Sequence, residues 1–163
     1  MIFTPMTLAE FEEWAPASGR EYAYGQVTSY GLTQDEADAM TAGGLESILP
    51  EGMQTKDQHF YTVRNQNGER LGFIWYAMKG APEHRSGYVC HIVLDKAHRG
   101  QGHGKPIMLH AENEMKKLGA KRIGLNVFGY NERAIKLYKH LGYEVSELFM
   151  TKKISNCASQ PHL

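Results

Sequence analysis

Residues 99–105 read Arg-Gly-Gln-Gly-His-Gly-Lys, with glycines at alternate positions that let the backbone bend tightly and present several N–H groups on one side. The chemistry this suits is anion binding, a phosphate or pyrophosphate lying in the cradle. An apolar run over 89–94 precedes it, and a helical pattern over 105–118 follows, with Met108, Ala111, Met115 and Leu118 on one face. The glycines thus open a helix whose positive end meets the anion. Pro106 suits the first turn, where its absent N–H is not missed. Two common phosphate motifs do not fit. The dinucleotide fingerprint places its third glycine three residues after its second, whereas Gly104 follows Gly102 by two. A Walker loop needs Gly-Lys followed by Ser or Thr, but Gly104-Lys105 is followed by Pro106, and Arg99 stands where Gly is required.

Arg99, Gly102 and Gly104 do match the pattern Arg/Gln-x-x-Gly-x-Gly/Ala, and a second segment follows with Asn131, Ala134, Leu137-Tyr138 and Leu141-Gly142-Tyr143. On these two segments the chain resembles the GNAT superfamily of acyl-CoA-dependent N-acyltransferases. The likeness is recognisable over 60–153, and Glu36-Ala37 with Leu49-Pro50-Glu51-Gly52 resembles a bacterial subgroup of unassigned substrate. The resemblance implies an α/β (α+β) chain with the GNAT fold, a mixed central sheet of about six or seven strands splayed in the middle, with about four helices. It also implies that the backbone of Ile92, Val93 and Leu94 pairs with the pantetheine arm of acetyl-CoA. Arg99, Gly100, Gln101, Gly102, His103, Gly104 and Lys105 would hold the pyrophosphate, Asn131 would contact the pantetheine region, and the Tyr138 hydroxyl would point at the coenzyme sulfur.

Acetyl transfer from a thioester to an amine needs a deprotonated amine, a partner for the developing oxyanion and a proton for the departing thiolate. Tyr138 can give the proton, because a phenol with a pKa near ~10 is protonated at neutral pH. The bland reading of the same helix makes Tyr138 a core aromatic and Asn131 an N-cap. The base is the open assignment. Many relatives carry a Glu thirteen residues before the motif Arg, and that position here is Ser86. His91 is the expected base, since an imidazole titrates near neutrality. Glu83 on a neighbouring loop, or water alone, are the alternatives, and His91 also reads as a structural histidine. An N–H near Ile92 or Val93 should meet the oxyanion. His84, His91 and His98 recur every seven residues, but the interval spans loop and strand and holds no ligand motif, so no metal is expected. Tyr22, Tyr24, Tyr30 and Trp75 are candidates either for an acceptor pocket or for ordinary packing.

Elements must hold these residues in place. Thr7 with Glu10 and Thr33 with Glu36 have capping-box spacing, and each predicts a helix start. The first helix carries Leu8, Phe11 and Trp14 on one face, then meets Pro16 and Gly19, which should kink, pause or end it before 21–30 resumes. The second runs over 34–49, weakened by Gly43-Gly44 and stopped by Pro50. Strands are expected at 2–4, 60–64, 71–78, 88–94, 122–128 and 144–153, with a hairpin turn at Gln66-Asn67-Gly68 and a last helix from Asn131 to Leu141. A right-handed crossover makes 88–94 and 122–128 parallel while the hairpin is antiparallel, so the sheet is mixed. Residues 1–154 read as one domain and 155–163 as a disordered tail.

Equal numbers of basic and acidic side chains, 18 each, offer nucleic acid no basic surface. The longest apolar run, 73–78, is too short for a bilayer, and the start shows no signal-like stretch, so no membrane partner and a cytoplasmic location are expected. Cys90 and Cys157 lack metal spacing and read as free thiols. The function these features imply is an N-acetyltransferase. It would move acetyl from acetyl-CoA to a primary amine of a small molecule or peptide, by direct attack in a ternary complex. The rivals are a silent acyl-CoA-binding module and a nucleotide-binding regulator. Neither the acceptor nor the oligomeric state, a homodimer included, follows from the sequence.

Overall fold

Both capping boxes form as the Thr and Glu spacing predicts. In each, the threonine side chain accepts from the N–H of the third helical residue, and that residue's carboxylate accepts from the threonine N–H. In this computed structural model, which describes residues 1–152 and residue 154, the chain runs β1 (Ile2–Pro5), α1 (Leu8–Tyr30), α2 (Gln34–Thr41), α3 (Gly44–Ile48), β2 (Gln58–Arg64) and β3 (Arg70–Lys79). It continues through β4 (Ser86–Leu94), α4 (Gly104–Lys117), β5 (Ile123–Leu125) and α5 (Glu132–His140). The strands lie in the order β1-β2-β3-β4-β5, antiparallel except for the last pair, β4 and β5, which is parallel. The sheet is mixed, as the crossover rule requires.

Leu71 to Met78 are buried without interruption because both faces of β3 are covered. Leu71, Ile74, Tyr76 and Met78 join Ile107, Met108, Ala111 and Met115 of α4 in one core. Phe73 and Trp75 join Trp14 of α1, Phe60 and Leu49 in the other. The predicted α4 face holds except at Leu118, which is the helix's C-terminal cap and is 41% exposed.

Several expectations are corrected. Helix α1 passes Pro16 and Gly19 as one helix of 23 residues, because Trp14 before them and Ala23 and Gln26 after them are all buried. The second helix divides into α2 and the single turn α3, where Gly43 takes a φ of +70°. Among the described residues the sheet has five strands rather than six or seven, with four helices of eight residues or more besides α3. The strand expected at 122–128 shrinks to Ile123–Leu125, since Phe128 is drawn onto α1 against Gly25, where a Cβ would lie 2.2 Å from the ring. That leaves a short edge for the expected strand at 144–153; residues 144–152 are not in a strand, and Leu148, Phe149 and Met150 are exposed. Lys153, Cys157 and the tail expected over 155–163 lie outside the described residues.

Candidate active site

The parallel pairing of β4 with β5 runs from Gly87 opposite Ile123 to Val89 opposite Leu125 and then stops. Strand β4 goes on to Leu94, bonded to β3 on its other side, so beyond Val89 its outer edge has no strand partner among the described residues. At the same point β4 carries a bulge. Trp75 of β3 faces His91 but Tyr76 faces Val89, which leaves Cys90 as an extra residue. The extra residue re-aims the chain: Cys90 packs in the α1-side core and His91 touches Trp14 on that same side, while Val89 and Ile92 belong to the α4 side. Two consecutive side chains on one face are what a bulge permits and regular alternation forbids.

From its open edge β4 leads into the glycine loop. Arg99 folds back so that its Nε donates to the Leu94 carbonyl at 2.8 Å, and Gln101 Nε2 donates to Ala97 O at 2.8 Å. Gly100 and Gly102 take φ of +88° and +84°, a conformation that side chains disfavour. Helix α4 then starts at Gly104 after His103, with no side-chain cap on its first-turn amides. Those amides have no earlier carbonyl to bond, so they face outward with the positive end of the helix dipole. Gly104 also lets α5 approach, since a Cβ there would stand 2.9 Å from Leu137 Cδ2. Lys105 Nζ lies 3.3 Å from His140 Nε2.

Asn131 caps α5, its side chain accepting from the Ala134 N–H at 3.2 Å. Tyr138, on α5, is 9% exposed and packs in the core that includes Val89, Ile92 and Leu125, the residues where β4 and β5 part. Its ring meets Tyr143 at 5.9 Å. Burial pushes the Tyr138 phenol above its ordinary value.

His91 is held from both ends. Trp14 Nε1–H donates to His91 Nδ1 at 3.1 Å, which makes Nδ1 an acceptor and places the proton of the neutral ring on Nε2. Nε2 lies 3.2 Å from Glu21 Oε2, and Ser18 Oγ lies 3.2 Å from Nδ1. Glu21 is half exposed, and the hydrogen bond from His91, aided by the charge of Arg99 and opposed by burial, holds its carboxyl below the usual range. Glu21 is the residue that sequence spacing misses. It lies 70 positions from His91, and only the packing of α1 across β4 brings the two together. Tyr22 lies against Phe128 at 5.8 Å and Phe128 stacks on Tyr130 at 5.7 Å, so α1 and the loop after β5 share an aromatic wall.

Other candidates fall elsewhere. Trp75 is core, its Nε1–H donating to Gln58 Oε1 at 2.7 Å, and Tyr30 sits edge-on to Phe149. Tyr24 is exposed. Glu83 and Ser86 lie at the opposite end of β4 from the glycine loop. His98 pairs with Glu69 at 3.2 Å. Among the described residues no group of three or more His, Cys, Asp or Glu is placed to hold a metal, and no helix is long and apolar enough to cross a membrane.

The site is thus a parallel pair that parts beside a strand bulge, followed by a glycine loop that opens a helix. The profile of the Acetyltransferase (GNAT) family matches residues 29–143, and the chain belongs to that family. It is similar to the uncharacterized N-acetyltransferase YdgE of Bacillus subtilis, 30% identical over 156 residues that cover 94% of this chain and 99% of the relative. It is also similar to the uncharacterized N-acetyltransferase YycN of the same organism, at 24% over 156 residues. The crystal structure of YycN superposes with a TM-score of 0.89 at 22% identity, covering 95% of this chain and 99% of that one.

Proposed function

We propose that this protein transfers acetyl from acetyl-CoA to a primary amine of a small molecule or peptide, by direct attack in a ternary complex in the cytoplasm. The observation that supports the reading is the edge of β4 beyond Val89, unpaired among the described residues, which leads through residues 95–103 to the start of α4, where no side chain caps the first amides. These residues fit the coenzyme. The backbone of Ile92, Val93 and Leu94 would pair with its pantetheine arm, residues 99–105 would take the pyrophosphate, and Asn131 would contact the arm from α5. The coenzyme supplies an acetyl thioester.

The chain's own groups handle the protons. In the His91–Glu21 pair the Glu21 carboxylate, held by the Nε2–H of His91, receives the proton an ammonium must lose before it can attack, rather than the expected imidazole, whose Nδ1 is taken up by Trp14. Trp14 keeps Nδ1 of His91 in the accepting form. The N–H of Ile92 or Val93 meets the oxyanion, and the Tyr138 hydroxyl protonates the departing thiolate. A thiol intermediate on the protein is disfavoured, since burial pushes the Cys90 thiol up to about 12 and so keeps it protonated.

The test is release of free thiol from acetyl-CoA across a panel of amines, with both substrates varied. Amine-dependent release with intersecting initial-rate lines is expected, and Cys90→Ala should keep it. Tight coenzyme binding with no turnover on any amine overturns the enzymatic reading, and parallel lines overturn direct attack.

A further inference from the structure

At the end of β4 away from the glycine loop lies a cavity of about 560 Å³, lined by Glu83, His84, Arg85, Ser86, Lys121 and Arg122. Its basic residues are brought together by strand register. Parallel pairing brings the start of β5 beside the start of β4, with Gly87 N–H donating to Arg122 O at 2.8 Å and Lys121 N–H donating to Arg85 O at 2.9 Å. Two arginines, a lysine and a histidine thus line one concavity in a chain whose net charge is zero.

Much of their donor capacity is unspent. Arg85 gives one guanidinium nitrogen to Asp57, but its Nε is buried and has no partner. Lys121 Nζ donates once, to Glu83 O at 2.7 Å, which leaves two of its three hydrogens. The Arg122 side chain has no hydrogen bond or ion pair among the described residues. The Arg85 Nε is shielded, so the donors open to a ligand are those of Lys121 and Arg122, both exposed, and an oxygen-rich anion would engage them. Glu83 is the single carboxylate of the lining and Asp57 pairs with Arg85, so Arg85, Lys121 and Arg122 still leave a local excess of positive charge.

We infer that this cavity binds a small phosphate-bearing anion, at a site separate from the coenzyme cradle. The arginines match phosphate oxygens in a planar fork, and Lys121 adds a point charge. A concavity of this size suits a small molecule rather than a nucleic-acid strand, which needs an extended basic surface. The inference does not depend on the catalytic reading.

Calorimetric titration with inorganic pyrophosphate tests it, at low ionic strength and with the glycine loop saturated by CoA. Saturable binding is expected, weakened at least tenfold in Lys121→Ala/Arg122→Ala. It should be unchanged in Lys116→Ala/Lys117→Ala, which removes the same charge from the last turn of α4. The bonds that Lys121 and Arg122 make to β4 are backbone bonds, so the strand pairing survives the substitutions. Arg122→Gln, with a melting curve, covers the case in which the double variant unfolds, and a tenfold loss is expected there too. No saturable binding, equal weakening in both double variants, or unchanged binding in a folded Arg122→Gln overturns the site.

Discussion

Burial raises the Tyr138 phenol, and for an acid the direction matters: a higher pKa keeps the proton in place over a wider alkaline range. Tyr138→Phe is expected to lower kcat about 100-fold while KM for acetyl-CoA changes little, because the ring and its packing remain. In the wild-type enzyme no alkaline loss of kcat should appear below the ordinary phenol range. Glu21 shifts the other way, held down chiefly by its hydrogen bond from His91. It is therefore a carboxylate at neutral pH, and Glu21→Gln should reduce kcat/KM about tenfold and displace its acid limb; an unchanged pH profile would remove Glu21 from the proton path. Motif spacing pointed to Tyr138, seven residues after Asn131, and to His91, eight residues before Arg99. Glu21 has no such landmark, and the bulge at Cys90 that decides which way His91 points leaves no mark in the residue types.

Strand β3 and helix α1 carry the site, and each contains a residue that contradicts its element. Gly72 lies within β3 at a φ of +157°, where a Cβ would stand 2.1 Å from the Val93 carbonyl oxygen and 2.9 Å from Leu94 Cα. Both are backbone atoms that cannot step aside without parting β3 from β4. Gly72→Ala should cost about 3 kcal/mol in chemical denaturation and weaken coenzyme binding, since Val93 and Leu94 belong to the open edge. Pro16 sits inside α1, where proline removes a helix hydrogen bond. Pro16→Ala should stabilise the protein by about 1–2 kcal/mol, the helix gain being partly offset by a freer unfolded chain. Local signals made Pro16 a break because they weigh one lost hydrogen bond; burial of Trp14 and Ala23 on either side outweighs it. The hairpin turn, the capping boxes and α4 were legible since each is fixed by residues a few positions apart. The last strand was not, because the residue types of 144–153 cannot report that β5 is only three residues long.

Across the whole molecule, α1 is clamped to the sheet by ion pairs at its first turns. Arg64 of β2 reaches Glu10 at 2.6 Å, and Arg70 of β3 bridges Glu13 at 3.1 Å and Asp95, just after β4, at 3.0 Å. This clamp keeps Trp14 and Glu21 over the bulge, so stability at the start of α1 and geometry at His91 are linked. Burial pushes the Glu10 carboxyl up, but the Thr7 amide, the Thr62 and Thr7 hydroxyls and Arg64 outweigh it and leave it below its ordinary value of 4.5. A depressed carboxyl binds its proton more weakly in the folded chain than in the unfolded one. Its contribution is therefore complete above the unfolded value and disappears as the pH falls through the lower folded value. Glu10→Gln should cost about 1 kcal/mol at pH 7, and the gap between the two proteins should close as the pH drops below 4.5. Melting temperatures of both, followed from pH 7 into acid, measure this directly; a gap that stays constant would show that Glu10 acts through packing alone and that the charge clamp does not hold α1 over the site.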